Sequence, residues 1–145
     1  MAITTAMCSS FKQELLGGVH DLDTHTLKTA LIKSGMSGTY GAATANYSDV
    51  TGNSDEATGT NYSAGGQNLD SGTIALSGTT ATVDFADEVF SNLTITARGA
   101  IIYNSSASNK AIAVFDFGGD VSATSGDFTI VFPTADASNA VIRIA

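Results

Sequence analysis

Both histidines of the 145-residue chain, His20 and His25, fall within six residues of each other, with Asp21 and Asp23 between them. Imidazoles and carboxylates are metal ligands. In an extended segment residues 21, 23 and 25 share a face while His20 points away, so at most three ligands converge. The same residues suit a polar turn in which aspartates bond nearby backbone amides. That is the simpler expectation, and no metal is assigned.

Other oxygen-bearing residues invite the same weighing. Asn46, Asp49, Asn53, Asp55 and Glu56 could hold calcium on a glycine-rich segment, but the ordered ligand spacing of an EF-hand is absent, and scattered acids on a solvated loop explain them. Asp84, Asp87 and Glu88 follow a strand-like run, and paired carboxylates hydrolyse glycosides; no Trp and no aromatic cluster stands there to position a sugar.

Serines are plentiful, yet no Gly-x-Ser-x-Gly elbow and no phosphate-cradling Gly-x-x-x-x-Gly-Lys run is present. Cys8 stands just ahead of a helix, where a thiol's pKa can be lowered; the competing reading is a packed small residue. Arg98 lies in the apolar run Leu93 to Tyr103. It must reach solvent or pair, with Asp84 or Asp116 as partners, or else serve as an intersubunit anchor. No catalytic centre and no cofactor emerges, so the chain does not read as an enzyme.

The elements that would position these residues are mostly strands. Ser and Thr number 35 against 20 charged residues, and hydroxylated residues suit turns and strands better than helix interiors. One helix is predicted over 10–17, with Ser10 as cap, Gln13 as its capping-box partner, Phe11 and Leu15 on one face, and Gly17-Gly18 as its end. Leu27 to Ile32 reads as a half-buried strand. Thr73 to Leu76 and Thr82 to Phe85 form a hairpin around Ser77-Gly78-Thr79. Further strands follow: Leu93 to Tyr103 with a bulge at Gly99, Ala111 to Phe117 ending in a Gly118-Gly119 turn, Phe128 to Phe132 before Pro133, and Val141 to Ile144.

Seven to nine short strands without intervening amphipathic helices predict a single all-β domain over 1–145, an antiparallel sandwich of jelly-roll type. Residues 34–67 stand apart, with seven glycines and Tyr40, Tyr47 and Tyr62 as their only large side chains. Too little apolar surface is available there to offset the ordering entropy. The expectation is a long surface excursion, the first place to look for partner contacts.

Net charge is −8, which disfavours nucleic acid and anionic membranes as partners. No run approaches the roughly 20 apolar residues of a spanning helix. Met1 to Ser10 carries neither the charge nor the apolar stretch of a secretion signal, so the expected place of synthesis is a cytoplasm.

A β-domain without an assembled active site suggests adhesion by surface, with Tyr40, Tyr47, Tyr62, Tyr103 and Arg98 as candidate protein contacts. Residues 1–9 would form an arm able to reach a neighbour by strand addition. A carbohydrate-binding sandwich using exposed tyrosines is the alternative of another class.

Three stretches carry a resemblance: Thr5 to His20 (TAMCSSFKQELLGGVH), Thr96 to Asn104 (TARGAIIYN) and Phe132-Pro133 to Ile144. They resemble small virion proteins of tailed bacteriophages, the capsid decoration or cement proteins. The resemblance implies a jelly-roll-like homo-oligomer, dimer or trimer, made in the host cytoplasm and located on the capsid surface. There it would bind across neighbouring copies of the major capsid protein. A tail or head-fibre component is the nearest alternative.

Overall fold

The computed structural model describes residues 2–70 and 72–145. Its first strands are β1 (Ala2–Ile3) and β2 (Ala6–Met7), followed by α1 (Ser9–Leu16), β3 (Leu27–Lys33), β4 (Thr39–Tyr40), α2 (Ser48–Gly52) and β5 (Gln67–Asn68). Then come β6 (Thr73–Ser77), β7 (Thr80–Asp84), β8 (Glu88–Asn104), a 3-10 turn at Ser105–Ala107, β9 (Lys110–Ile130) and β10 (Ile142–Ile144). The chain is all-β, as composition leads one to expect. A five-stranded antiparallel sheet has the order β2-β9-β8-β3-β5, a three-stranded one the order β10-β7-β6, and β1 pairs with β4 in parallel.

The long hairpin of β8 and β9 is the frame. Sequence suggests three strands here, with a turn at Gly118-Gly119; instead there are two, and β9 runs unbroken from Lys110 to Ile130. Register shifts lie between Phe90 and Leu93, Leu93 and Ile95, Ala97 and Gly99, and Ile102 and Tyr103. The glycine pair sits in the widest of them, where Gly99 faces Asp116 and Ala97 faces Val121. Pairing with β8 continues on both sides of Gly118, whose φ is +80°, so its backbone makes a bulge rather than a reversal. Each bulge bends the ribbon. The Phe117 and Phe128 rings lie 5.8 Å apart, whereas eleven residues of straight strand would span about 36 Å. The hairpin therefore curls on itself, and the expected sandwich is made largely by one bent ribbon.

Gly99 serves a different need, close approach. A Cβ there would lie 2.3 Å from the Phe115 carbonyl oxygen and 2.7 Å from Ile3 Cδ1. The predicted bulge is present at this residue.

β3 is buried on both faces rather than one: Leu27 and Thr29 through Ile32 are all inside. Within its sheet it is flanked by β8 on one side and, on the other, by β5 and the Ile32–Glu56 bridge; with both of its faces covered, an alternating burial pattern does not arise.

The N-terminus differs from an open arm. β2 pairs with β9, Ala6 facing Val114, and β1 pairs with β4; Met1 lies outside the described residues. The helix begins one residue earlier than expected, at Ser9, with Cys8 as N-cap and no side-chain capping bond. Ser10 is thus inside the first turn, and its buried hydroxyl has no hydrogen-bond partner. Cys8 N–H donates to the Ile112 carbonyl at 2.9 Å, and Phe11 is fully buried. Tertiary docking, worth about 2 kcal/mol for a phenylalanine, fixes this helix start in place of a cap. The hairpin β6–β7 turns at Gly78-Thr79 as expected, with Ser77 facing Thr80.

Candidate functional site

Residues 34–67 are not a loose excursion. Their order comes from two carboxylates, the fully buried Asp55 and the half-buried Glu56, which an estimate based on apolar area leaves out. Asp55 and Glu56 are consecutive in an extended segment beside β3, where Lys33 N–H donates to the Asp55 carbonyl and Ala57 N–H to the Leu31 carbonyl. Successive side chains in such a segment point to opposite sides, so each carboxylate collects its own partners.

Asp55 is fully buried. It accepts from the Tyr40 hydroxyl at 2.6 Å, from Ser37 N–H at 3.0 Å and from Gly38 N–H at 2.8 Å. Lys33 Nζ lies 3.2 Å away. Burial alone would push this carboxyl up; the hydrogen bonds from Tyr40, Ser37, Gly38 and Lys33 outweigh it and hold the group well below the usual carboxylate range. Glu56 accepts from the Tyr47 hydroxyl, from the Tyr62 hydroxyl at 2.9 Å and from Gly65 N–H at 2.7 Å. Tyr62 oxygen in turn accepts from Leu31 N–H at 2.9 Å. Tyr103 stacks on Tyr47 with ring centroids 4.4 Å apart and donates to the Gly65 carbonyl at 2.6 Å.

The four candidate contact tyrosines are therefore brought together around internal acceptors. Tyr40 and Tyr103 are buried, and Tyr47 and Tyr62 pack half-buried against the core. Their hydroxyls hold the cover segment down on β3 and β8. Arg98 is partly exposed, its Nε 3.0 Å from Asp116 Oδ1, the pairing expected as one of its options.

The histidine cluster resolves into a node on Asn104. Its Nδ2 lies 3.0 Å from His20 Nδ1 and 2.9 Å from His25 Nδ1, while its Oδ1 accepts from Ser106 N–H. An amide nitrogen only donates, so the network assigns both imidazoles an acceptor at Nδ1 and a proton on Nε2. His20 uses that proton toward Glu14, 2.6 Å away. Asp21 accepts from the backbones of Asp23 and Thr24 and from the Thr24 hydroxyl, which is the polar turn. Among the described residues, no group of three or more His, Cys, Asp or Glu side chains is placed to hold a metal ion.

Asp87 is spent on Phe132 N–H at 2.9 Å. Glu88 is buried, and burial with the nearby Asp70 lifts its carboxyl to about 7. Burial likewise pushes the Cys8 thiol up to about 12, with Asp49 and Glu14 adding to the effect. The helix-terminus activation considered for Cys8 is overridden, and the residue is a packed small side chain.

Among the described residues an apolar surface remains open, and it lies elsewhere. Directly paired residues of an antiparallel sheet share a face. The register of β10, β7 and β6 therefore puts Ile74, Val83 and Ile142 in one row and Leu76, Ala81 and Ile144 in the next. All six are apolar. Val83 and Ile142 are covered, but Leu76 is 75% exposed and Ile74 and Ile144 about half so. Leu15 of α1 and Leu22 close one side of a groove of about 340 Å³ over these rows. A second groove of about 390 Å³ shares Leu15 and Ile144 with it and extends to Met7 and Leu16. Leu16 is 92% exposed. Sequence alternation locates these strands; which of their faces lacks a cover depends on how the sheets are placed, and nothing local encodes it.

No helix of the described chain is long and apolar enough to cross a membrane. No family model, curated protein or solved structure matches this chain.

Proposed function

We propose that this chain is a structural virion protein that decorates a bacteriophage capsid and stabilises it by binding across neighbouring major capsid proteins. The observation that carries the reading is the open apolar face formed by Ile74, Leu76, Ile144, Leu15 and Leu16 on a chain of net charge −8. A contiguous apolar surface bounded by polar residues marks a protein-binding site. The surrounding negative charge keeps a high-copy protein dispersed until it docks. The choice of a capsid partner rests on the resemblance of the stretches 5–20, 96–104 and 132–144 to small phage virion proteins.

A cement protein must keep its shape under load. The long hairpin, whose Glu88 pairs with Ile130, the tyrosine ties of Tyr62 to Leu31 and of Tyr103 to Gly65, and an N-terminus sewn onto β9 suit that demand, since each links residues distant in sequence. Carbohydrate binding has less support, because the tyrosine rings that would stack on a sugar are turned inward.

The test is addition of the purified chain to expanded phage shells that lack it. Decoration predicts new density at many symmetric shell positions and a higher temperature of heat disruption. Density confined to a few tail positions, or none with unchanged shell stability, overturns the proposal.

A further inference from the structure

We infer that the groove between α1 and β10 takes an apolar segment of a partner protein that carries Asp or Glu, its carboxylate held between Lys12 and Arg143. This rests on the docking face proposed above and names the chemistry that the partner presents there.

Cations are scarce in this chain, six against 14 acidic residues. Three of them are committed internally: Lys33 lies 3.2 Å from Asp55, Arg98 3.0 Å from Asp116 and Lys110 3.6 Å from Glu14. Among the described residues Lys12, Lys28 and Arg143 have no Asp or Glu oxygen within 4.0 Å. Lys28 is half-buried, whereas Lys12 and Arg143 are exposed and line the same groove of about 390 Å³. Arg143 gives Nη1 to the Ala137 carbonyl at 3.0 Å, which leaves its other donors for a ligand. The nearby Asp136 spends its carboxylate on Ser138 and Asn139.

The rest of the groove is apolar, made by Met7, Leu15, Leu16 and Ile144. Lys12 and Leu16 stand one turn apart on α1, so the cation neighbours a leucine that is 92% exposed. Residues 143 and 144 point to opposite faces of their strand, yet both line the groove, which therefore follows the open edge of β10. Apolar contact supplies the attraction, and charge selects the partner. A basic residue on the incoming segment would meet like charge, whereas Asp or Glu pairs with both cations. A net charge of −8 repels such a segment from most of the surface, and this groove receives it.

Co-sedimentation of the full chain with expanded phage shells at about 50 mM NaCl tests the assignment. Lys12→Glu and Arg143→Glu should each weaken binding at least about tenfold with unchanged circular dichroism, and the loss should shrink at about 500 mM NaCl. Lys12→Arg should bind as the parent does. Thr58→Glu combined with Thr129→Glu, exposed positions outside the groove, shifts net charge by the same two units and should leave binding within about twofold. Shell binding that survives both reversals overturns the inference and leaves the docking face standing. An equal loss in the Thr58 and Thr129 control overturns it too, because net charge alone then explains the effect. If the parent does not bind shells, the docking reading fails, and a nuclear magnetic resonance titration of the full chain decides the inference by itself. There acetyl-Leu-Glu-Leu-Glu-Leu-amide should shift the methyl signals of Leu16 and Ile144, and Lys12→Glu should abolish the shifts. No response, or a stronger one to the lysine counterpart of the peptide, overturns the inference.

Discussion

The rings of Phe117 and Phe128, eleven residues apart on the same β-strand, lie 5.8 Å from each other. A strand reaches its own side chains only if it curls, and the bulges of the β8–β9 ribbon supply the bend.

Tolerance to added methyl groups should therefore differ sharply between glycines of this ribbon. Gly99→Ala places a Cβ against the Phe115 carbonyl and should cost about 2 kcal/mol or more, the range of overpacking changes. Gly119→Ala, with no atom within 4 Å of its Cβ, should cost under about 1 kcal/mol. Urea midpoints of the two variants decide it; equal midpoints would remove the close-approach argument.

Asp55 should make the fold acid-sensitive. Its carboxyl is depressed in the folded state, so its stabilisation is full above the unfolded value of about 3.9 and is lost as pH falls from there toward the folded value. Asp55→Asn should destabilise by about 3 kcal/mol at pH 7, the scale for breaking a buried charge pair, and should flatten the melting temperature below about pH 4. A variant that melts like the parent at pH 7 contradicts the proposed role of Asp55 in holding residues 34–67.

Glu88 acts with the opposite sign. Burial raises its folded value to about 7, so its contribution is full below the unfolded value of about 4.3 and is lost as pH rises through about 7. Glu88→Gln should stabilise at pH 8 by on the order of 1 kcal/mol, since partial solvent screening discounts the full linkage effect, and should change little at pH 4. Thermal melts at the two pH values check it, and a lower melting temperature at pH 8 would reverse the sign.

The tyrosines should titrate as one with unfolding. Burial pushes Tyr40 and Tyr103 up to about 12 and Tyr47 and Tyr62 higher still, with Asp55 adding for Tyr40 and Glu56 for the other three. An ultraviolet titration should show no tyrosinate at pH 10.5, where free tyrosine is mostly ionised, and four equivalents once the chain unfolds. Any fractional equivalent in native protein would show that at least one hydroxyl faces water.

Much of the architecture is legible in sequence because strand signals are local. The β6–β7 hairpin and the bulge at Gly99 follow from alternation and a glycine in a strand; a charge in an apolar run leaves Arg98 a choice that includes Asp84 and Asp116, and the structure pairs it with Asp116. Residues 34–67 are where local reading stops. Tyr40, Tyr47, Tyr62, Asp55 and Glu56 are all conspicuous there, but their bonds to one another and to β3 depend on a register set by distant segments. The Gly118-Gly119 step is ambiguous for a related reason: two glycines serve a turn and a wide bulge equally well, and only the continued pairing of Val121 with Ala97 separates them.

The stitching of the N-terminus onto β9 has a consequence for synthesis. Ala6 pairs with Val114, Cys8 with Ile112, and the Thr5 hydroxyl with Asp116 N–H, so residues 5–8 lack these partners until more than a hundred further residues have been made. Nearly all of the chain must be made before its sheet can close. High contact order of this kind makes folding slow, and a product cut short before β9 would leave β2 without its partner and the β8 edge open.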